Sequence, residues 1–558
     1  MGAAKPSLRL YSRETSRACA RGTDRASLLR VSAEMMASAR VLAAAFALLT
    51  ATAAAQNARA SAPSRGGGVA ELSASRVLGA LVPANEVFSL ESEYEELQVT
   101  KVLVTNLDDD SGTPPEGSLR AALAVCESES ALFSGDGLKA GFLCEIDFER
   151  DIRGGTIVLD DDLEITVNVF LRGRNVKING AGSYDVQFTT GDEGLPISCR
   201  VEDLEVFNGG SYQIELDNPH SQFEFVRVIS RDGALTSSDC LEIDEDYIRV
   251  LFDHCQFTGC DDGVDVDSDY NYIVARYTEF SRNTFDGFFT DCAPLEADFF
   301  RCTFANNGAN GYHDEDDLSK LRFSECTFSE NSANAIVLNY NTVTEIEAST
   351  FVGVKATPGG RGDGTFDYDE DSNANIGIRM DPSEGDEFGY LSVNRCSFRE
   401  FAVAIAINPG DDLPESNNRI ARTHIADCDV GLTFGEGDPP TTQTRMSADP
   451  PPGEFSPYST TLNRVTIERV FYAGLRFDEA ESHRVEVRNS RIASGSDGAI
   501  SDTAILFAGD EGDTLENLVV VRRSLVCGVT NLAADSNVVR GERVVRSNGA
   551  FFCRRASG

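Results

Sequence analysis

The fold of this chain is decided between residues 255 and 351, where residues 255–266 read CQFTGCDDGVDV and residues 302–313 read CTFANNGANGYH. Phenylalanines return there at intervals of 23 or 24 residues, and a small residue followed by an apolar-x-apolar strand keeps the same period. The phenylalanines are Phe257, Phe280, Phe304, Phe328 and Phe351, and the small residues are Gly263, Gly287, Gly311 and Ala335. A fixed period in the twenties is typical of a stacked repeat array.

Each repeat consists of short strands and turns, and no stretch inside a repeat is periodic enough for a helix. The Leu-x-x-Leu-x-Leu frame of leucine-rich repeats is absent. The period therefore predicts an all-β fold, a single-stranded right-handed parallel β-helix (β-solenoid) in which each residue stacks on its counterpart one coil away. Residues 104–124 indicate a strand, a turn and a short amphipathic helix, which we expect to cap the first coil.

The sequence divides into four parts. We expect a leader with a signal peptide at 1–55, a low-complexity linker at 56–87, an N-terminal cap at 88–153 and the β-helix at 154–558. Insertions interrupt the period near 353–375, 409–417, 436–459 and 494–503. These insertions must leave the β-helix at turns, because a loop inside the core would bury unpaired backbone groups.

The leader indicates export. Val41 to Ala55 is a 15-residue apolar run that ends in small residues before Gln56, as at a signal-peptidase site. We expect the true start to be Met35 or Met36. The run is too short to span a membrane. We therefore expect a secreted, extracellular protein that does not span a membrane. Organelle targeting through the Arg-rich and Ser-rich leader is the alternative.

Charge and cysteine spacing restrict the partners and the redox chemistry. The formal net charge is −41, which makes nucleic acid an unsuitable partner. Four cysteines precede a repeat phenylalanine by two residues and are therefore expected to be inward-facing core thiols. They are Cys255, Cys302, Cys326 and Cys396. Cys126 and Cys144, outside the array, are the candidates for a disulfide.

Aligning the coils predicts two columns of mainly acidic residues, spaced by about 4.8 Å. The first column is Asp239, Asp262, Asp286, Asn310 and Asn334, and the second is Asp244, Asp267, Asp291, Glu315 and Asn339. Carboxylates this close raise each other's pKa unless a cation lies between them. A hard, oxygen-ligated cation such as Ca²⁺ suits them. The other interpretation is an acidic surface that keeps the protein soluble.

One corner of the predicted coils concentrates these carboxylates. Asp239, Asp261 and Asp265 are expected to converge there from adjacent coils, with Asp262 and Glu242 nearby. Carboxylate oxygens are the ligands that Ca²⁺ prefers in proteins. The sequence therefore predicts a cation site at this corner.

The run from Asp239 to Val266 resembles the calcium-dependent pectate lyases, with an acidic coil and then a strand that ends in Asp253-His254, as that family's Trp-x-Asp-His does, but without the tryptophan. The cap motifs Val-Thr-Asn-Leu (104–107) and Gly-Ser-Leu-Arg (117–120) resemble them too, so the likeness covers roughly residues 100–340. It implies that Asp239, Asp261 and Asp265 are calcium ligands. In such lyases Ca²⁺ bridges protein and uronate carboxylates, and a basic side chain removes the C5 proton.

The base of those lyases is an arginine in an Arg-x-Pro segment, and the corresponding residues 306–314 contain no arginine. Arg282 and His313 are the basic residues nearby, and they are the candidate catalytic residues. A histidine can accept a proton near neutral pH. An ordinary salt-linked surface histidine is the alternative for His313.

Three functions remain open on the sequence. The first is a secreted, carbohydrate-directed protein whose partner is an acidic polysaccharide or cell-surface glycan, a polysaccharide lyase if Arg282 or His313 serves as the base. The second is a non-catalytic, adhesin-like or glycan-binding β-helix, because fold alone does not define function. The third is a polygalacturonase-like hydrolase built on Asp239, Asp261 and Asp262, which would need two carboxyl groups roughly 6.5–9.5 Å apart.

Overall fold

The computed structural model describes most of the chain from residue 98 onward. The described residues are 98–133, 142–190, 196–233, 238–291, 294–315, 318–338, 342–354, 375–380, 389–407, 416–435, 458–478, 483–494, 503–508, 517–527, 529–531, 537–541 and 544–545. The expected leader and linker, the greater part of the four insertions and Asn339 lie outside the described residues.

Two parallel sheets contain the described strands, a larger sheet of 29 strands and a smaller sheet of 14 strands. A typical coil contributes two strands to the larger sheet and then one strand to the smaller sheet. Each strand pairs with its counterpart in the next coil, as Gln256–Thr258 pairs with Glu279–Ser281. This is the strand, turn, strand, turn, strand repeat predicted from the period, and the all-β solenoid with a short helix is confirmed.

The larger sheet contains two strand positions per coil, and the long strands Val169–Asn179 and Ser198–Phe207 run through both. The strands at the first position are Gln98–Val104, Phe142–Phe148, Val169–Asn179, Ser198–Phe207, Gln222–Val226, Arg249–Asp253, Tyr272–Arg276, Glu296–Phe300, Lys320–Ser324, Val343–Glu347, Tyr390–Asn394, Ser416–Ala421, Tyr458–Asn463, His483–Arg488, Leu518–Arg522 and Val538–Gly541. The strands at the second position are Thr156–Val158, Ile229–Arg231, Gln256–Thr258, Glu279–Ser281, Thr303–Ala305, Thr327–Ser329, Thr350–Val352, Ser397–Arg399, His424–Ala426, Thr466–Val470, Arg491–Ser494, Leu525–Cys527 and Val544–Val545.

The smaller sheet supplies the third strand of each coil. Its strands are Leu163–Glu164, Val186–Thr189, Ile214–Asp217, Glu242–Ile243, Asp265–Val266, Phe288–Thr290, Tyr312–Asp314, Asn334–Leu338, Ile376–Met380, Val403–Ile407, Val430–Phe434, Ala473–Asp478, Thr503–Ala508 and Val529–Asn531. Side chains alternate between the core and the outside along each strand. In the strand Asp265–Val266, for example, Val266 faces the core and Asp265 faces outward.

The core is a pile of apolar side chains, of which the repeat phenylalanines form one column. Phe304 and Phe328 stack with ring centroids 4.7 Å apart and planes 3° from parallel, and Phe351 continues the stack at 4.9 Å. The four predicted core thiols are buried and belong to no disulfide, and the same holds for Cys199 and Cys428. The repeat period of the sequence therefore equals the number of residues in one coil.

The N-terminal segment contains the one α-helix of the described residues, Leu119–Phe133, and a short 3-10 helix, Arg150–Ile152. The Ser118 hydroxyl accepts the N–H of Ala121 at the start of the α-helix. Leu119 and Leu123 are buried in the core, and the predicted disulfide joins Cys126 to Cys144. No helix among the described residues is long and apolar enough to cross a membrane.

The parallel sheet begins earlier than residue 154. The strands Gln98–Val104 and Phe142–Phe148 pair with each other, and the second of them pairs with Val169–Asn179. The segment expected to form only a cap therefore also supplies the first strands of the larger sheet. The reason is that its apolar side chains alternate, as in the later coils, so that Val104, Ile146 and Phe148 enter the same core.

Candidate metal centre

The candidate site lies at the corner where each coil leaves the larger sheet and enters the smaller one. Parallel register places Asp239, Asp262 and Asp286 above one another in three successive coils. The N–H of Asp262 donates to Oδ1 of Asp239 at 2.8 Å, and the N–H of Asp286 donates to Oδ1 of Asp262 at 2.7 Å. The first predicted column is therefore a hydrogen-bonded ladder whose carboxylates are held in fixed orientations.

The ladder continues with asparagines. The N–H of Asn310 donates to Oδ1 of Asp286 at 2.6 Å, and the N–H of Asn334 donates to Oδ1 of Asn310 at 3.2 Å. An asparagine keeps the acceptor oxygen of an aspartate and removes its charge. Negative charge in this column is thus confined to the coils of Asp239, Asp262 and Asp286.

Asp239, Asp262 and Asp265 form a group that could hold a metal ion. One carboxylate oxygen from each lies within 4.8 Å of the oxygens from the other two. The three residues are 5%, 5% and 3% exposed. Buried carboxylates are costly unless they are paired or coordinate a metal. Three oxygen donors in this arrangement match the ligands that hard cations prefer.

Two buried oxygens at this site lack hydrogen bonds. Among the described residues, no group donates to Oδ1 of Asp265 or to Oε2 of Glu242. These two residues occupy the same register position in neighbouring coils. An unsatisfied buried oxygen costs free energy, and a cation ligated by it would remove that cost. The residues present therefore fit a divalent cation.

The pKa values of these acids rise for the same physical reason. Burial raises the pKa of Glu242 to about 9; the hydrogen bond from Tyr212 opposes the rise, and nearby carboxylates add to it. Burial, and then the neighbouring carboxylates, also hold the pKa values of Asp262 and Asp265 well above their usual range. Glu242 therefore retains its proton near neutral pH when no positive charge is close, and a cation that it ligates must displace that proton.

Asp261 occupies a different position from the one expected. It is buried, its N–H donates to the carbonyl oxygen of Ser238 at 2.8 Å, and its carbonyl oxygen accepts the N–H of Phe285 at 2.9 Å. It does not belong to the group of three carboxylates; Asp262 takes that place. Neighbouring residues on an extended chain point to opposite sides, and Asp262 is the one that faces Asp239 and Asp265.

A disulfide that the sequence analysis did not predict borders this corner. Cys240 and Cys260 are bonded across adjacent coils. Cys240 directly follows Asp239, and Cys260 directly precedes Asp261. Their separation of 20 residues, close to one coil, is the signal that could have identified the pair. The bond ties together the two coils that carry Asp239 and Asp262.

His313 shares the outward column of the smaller sheet with Asp265. In register, Asp265 pairs with Phe289 and Phe289 pairs with His313, which places His313 two coils from Asp265. Nδ1 of His313 lies 3.0 Å from Oδ2 of Asp286, and Nε2 lies 3.6 Å from Glu315. The histidine is therefore oriented by a member of the acidic ladder and linked to the candidate metal centre through it.

The pKa of His313 is raised overall. Burial lowers the pKa, but the hydrogen bond to Asp286 and the charges of Asp286, Glu315 and Asp314 raise it by more. A protonated imidazole is favoured beside these carboxylates. His313 is consequently charged to a higher pH than an isolated histidine.

Arg282 lies in a more exposed environment. Its side chain is 66% exposed, Nε donates to Oγ1 of Thr258 at 3.2 Å, and the guanidinium lies 4.0 Å from Glu279. Thr258 and Glu279 belong to the larger sheet. Of the two candidate bases, His313 is therefore the one in the outward column of the smaller sheet.

The second acidic column is also present in register. Ile243 pairs with Val266. The residues that follow them, Asp244 and Asp267, therefore stack on each other. Glu215 and Asp217 extend the carboxylates one coil further. We call the outward side of this part of the smaller sheet the acidic face, defined by Glu215, Glu242, Asp265, Asp217, Asp244 and Asp267. Burial raises the pKa of Glu215 to about 7, and Asp217 and Asp244 add to the rise.

Comparison with known proteins concerns the fold. A family model described as a right handed beta helix region matches residues 238–376, which contain the candidate metal centre. No curated protein matches this chain. With the parallel topology, the family match establishes a right-handed parallel β-helix, which is the predicted fold class.

Two solved structures are similar to this chain at low identity. The crystal structure of pectate lyase Pel9A is 12% identical, with 75% of this chain and 80% of that chain covered and a TM-score of 0.26. A double mutant of the tailspike protein of E. coli bacteriophage HK620, in complex with a pentasaccharide, is 11% identical, with 68% of each chain covered and a TM-score of 0.21. Identities this low concern the fold alone.

Proposed function

We propose that this protein is a carbohydrate-directed β-helix protein that binds an acidic glycan through a cation, with Ca²⁺ as the first choice. The observation that carries the proposal is the buried group of Asp239, Asp262 and Asp265, whose oxygens lie within 4.8 Å of one another. Oδ1 of Asp265 and Oε2 of Glu242, which receive no hydrogen bond from the part of the chain that the structure describes, support it. Asp239, Asp262 and Asp265 would ligate the ion, with Glu242 as a further carboxylate.

The donor set favours Ca²⁺ because every candidate ligand is a carboxylate oxygen. Calcium takes six to eight oxygen ligands in proteins, and three or four carboxylates leave positions for a ligand from outside. A uronate carboxylate has the right chemistry for such a position. The resemblance of residues 239–266 to calcium-dependent pectate lyases supports the same substrate class.

The charge of the protein explains why a cation is needed. A formal net charge of −41 repels an acidic polysaccharide. The carboxylates of the acidic face would add to this repulsion at short range. A divalent cation in the metal centre reverses the local charge and gives the glycan carboxylate one favourable position.

Within this proposal His313 is the better candidate base, because it lies in the outward column of Asp265 and Asp286 orients it. Nε2 of His313 would accept the C5 proton of a uronate. The C–H electron pair would form the C4–C5 double bond, and the C4–O bond would break, with water protonating the leaving oxygen. The bound cation supplies one thing to this chemistry, neutralisation of the uronate carboxylate that acidifies C5. Two coils of about 4.8 Å each separate the backbones of Asp265 and His313, so a single uronate must lie along this column, with its carboxylate on the cation and its C5 beside Nε2.

The test is incubation of the protein with a panel of uronate polysaccharides, with and without Ca²⁺, followed by binding measurement and mass spectrometry of the products. We expect calcium-dependent binding. Unsaturated fragments would identify a lyase, water-added fragments a hydrolase, and intact bound glycan a binding protein. If no polysaccharide binds in a calcium-dependent manner, the proposal is contradicted.

We also propose that the protein is secreted after removal of its leader. The apolar run at 41–55, followed by Gln56, supports this. N-terminal sequencing of protein recovered from the culture medium should give a start at Gln56. Retention in an organelle would favour the transit-peptide alternative instead.

A further inference from the structure

A stripe of exposed rings and apolar side chains borders the acidic face where the smaller-sheet strands end. It occupies one register position in five successive coils. We call it the aromatic rim, and its members are His220, Tyr247, Tyr270, Pro294 and Leu318. The metal centre lies at the start of these strands, so the acidic face extends between the metal centre and the aromatic rim.

The rings of the aromatic rim are stacked and yet accessible. His220 and Tyr247 have ring centroids 4.8 Å apart with planes 15° from parallel, and Tyr247 and Tyr270 are 4.8 Å apart at 5°. Tyr247 is 42% exposed, Tyr270 is 51% exposed and Leu318 is 60% exposed. The rim therefore presents ring edges and phenol hydroxyls in a preformed arrangement.

The hydroxyl of Tyr247 remains a hydrogen-bond donor at neutral pH. Burial raises its pKa, and the neighbouring Tyr270, Asp246 and Asp269 add to the rise. A neutral phenol can donate one hydrogen bond and accept others. The rim thus combines apolar area with polar groups that sugar hydroxyls can bind.

The rim is the uncharged border of a strongly acidic surface. Each ring follows an acid of the acidic face by three residues, as Tyr247 follows Asp244 and Tyr270 follows Asp267. The five rim positions themselves carry no carboxylate. An acidic glycan held at the metal centre is repelled by the acids but not by the rim. The uncharged rings of that glycan would therefore bind more favourably at the rim than at the acidic face.

The distance allows one glycan to contact both features. Asp265 and Tyr270 are five residues apart on one chain, so their Cα atoms are at most about 18 Å apart. An oligosaccharide of a few rings is long enough to contact both features even at this maximum separation.

We infer that the aromatic rim binds the neutral, hydroxyl-bearing rings of the glycan whose carboxylate is held at the metal centre; this inference rests on the proposed function. Tyrosine supplies a large amphipathic contact area and loses little conformational entropy on binding. Because stacking already orders the rings, the glycan does not have to order them. The rim would set how many sugar rings the protein recognises.

A second stack offers a matched control. His254 and Tyr277 have ring centroids 4.7 Å apart at 19°, and Tyr277 is also 42% exposed. This pair follows strands of the larger sheet and lies beside Arg301, away from the smaller-sheet strands that carry the metal centre. Removing Tyr277 therefore reproduces the loss of an exposed stacked tyrosine without touching the aromatic rim.

The experiment measures binding of a uronate monosaccharide and of oligosaccharides in which one uronate is joined to an increasing number of neutral sugars. Binding is measured in saturating Ca²⁺ for the wild type, Tyr247→Ala, Tyr247→Phe and Tyr277→Ala. We expect Tyr247→Ala to weaken oligosaccharide binding about three- to tenfold and to leave monosaccharide binding unchanged. Tyr247→Phe should retain most of the affinity, and Tyr277→Ala should bind like the wild type. Thermal unfolding of the two alanine variants verifies that both are folded.

The outcomes separate this inference from the proposed function. If the wild type binds oligosaccharide with Ca²⁺ and Tyr247→Ala binds it equally well, the inference about the rim is wrong and the metal centre stands. Equal weakening by Tyr247→Ala and Tyr277→Ala also contradicts the inference, because it indicates a general effect on folding. If the wild type shows no calcium-dependent binding of any length, the proposed function fails and the inference fails with it.

Discussion

Asp265 is the residue on which the cation proposal depends most directly. It is 3% exposed, and its Oδ1 is an oxygen to which no described group donates a hydrogen bond. Asp265→Asn keeps the shape and removes the charge. We expect Ca²⁺ affinity to fall at least about tenfold in calorimetry, which corresponds to about 1.4 kcal/mol. The calcium-induced rise in thermal stability, about 2.7 kcal/mol at a hundredfold excess over Kd, should decrease correspondingly.

The control for this substitution is Asp298→Asn. Asp298 lies in the larger sheet, and burial raises its pKa too, with Arg322 4.0 Å away. The variant therefore removes a desolvated carboxylate outside the metal centre. If Asp265→Asn and Asp298→Asn bind calcium with equal affinity, the cation does not bind at Asp265.

The pH dependence of activity tests His313 if the protein proves to be a lyase. A base must be neutral to accept a proton, and the pKa of His313 is raised above 6.5 because Asp286, Glu315 and Asp314 outweigh the opposing effect of burial. The elimination rate should therefore fall as pH decreases through a value above 6.5. Asp286→Asn keeps the Oδ1 acceptor and removes the charge. The fall in the elimination rate should therefore occur at a lower pH in this variant. NMR titration of His313 in both proteins is the independent measurement. If the rate falls at the same pH in the variant and in the wild type, His313 is not the base.

At the scale of elements, the Cys240–Cys260 disulfide ties the coils that supply Asp239 and Asp262. A Cys240→Ser/Cys260→Ser double variant should bind Ca²⁺ more weakly, because the two carboxylates are less firmly held together. We expect a loss of about threefold or more in calorimetry. The matched control is Cys126→Ser/Cys144→Ser, which removes the disulfide of the N-terminal segment. If both variants bind calcium like the wild type, the disulfide has no role in shaping the site.

Asp185, a buried acid two coils away from Asp239, allows a prediction about stability. Burial raises the pKa of Asp185 to about 6, and its Oδ1 accepts the N–H of Gly210. The folded chain therefore binds more protons than the unfolded chain between about pH 4 and pH 6, so this group lowers stability as pH rises through that range. Asp185→Asn keeps the acceptor and should stabilise the protein by roughly 1–2 kcal/mol at pH 7, with no gain below pH 4.

Denaturant unfolding at pH 4 and pH 7 measures this effect. Asp151→Asn is the control, because Asp151 is an exposed acid in the short 3-10 helix. A gain that is equal at both pH values would show that Asp185 acts through something other than its charge.

Periodicity predicted which residues share a column, because coil length fixes the register of a parallel β-helix. It placed Phe257 on Phe280 and Asp239 on Asp262, as the structure does. It could not distinguish Asp261 from Asp262, because a shift of one residue reverses the side to which a side chain points. That detail is set by the turn between the two sheets, which has no period of its own.

At the scale of the whole molecule, the sequence indicated the acidic columns but not how they join into one surface. The pairing of His313 with Asp286 joins adjacent coils across three positions in register and depends on side-chain rotamers. The aromatic rim was also missed. Its members share a register position, but their residue types vary from coil to coil, as in His220, Tyr247, Tyr270 and Leu318. Both features arise from side-chain contacts between adjacent coils, which the period alone does not specify.

The central claim is that a cation at Asp239, Asp262 and Asp265 carries the glycan. The most direct test is a crystal structure of the protein grown with Ca²⁺ and a uronate oligosaccharide, with anomalous diffraction used to locate the ion. We expect a calcium ion ligated by oxygens of these three aspartates and by one sugar carboxylate. Calcium bound only elsewhere, or none at this corner at saturating concentration, would contradict it.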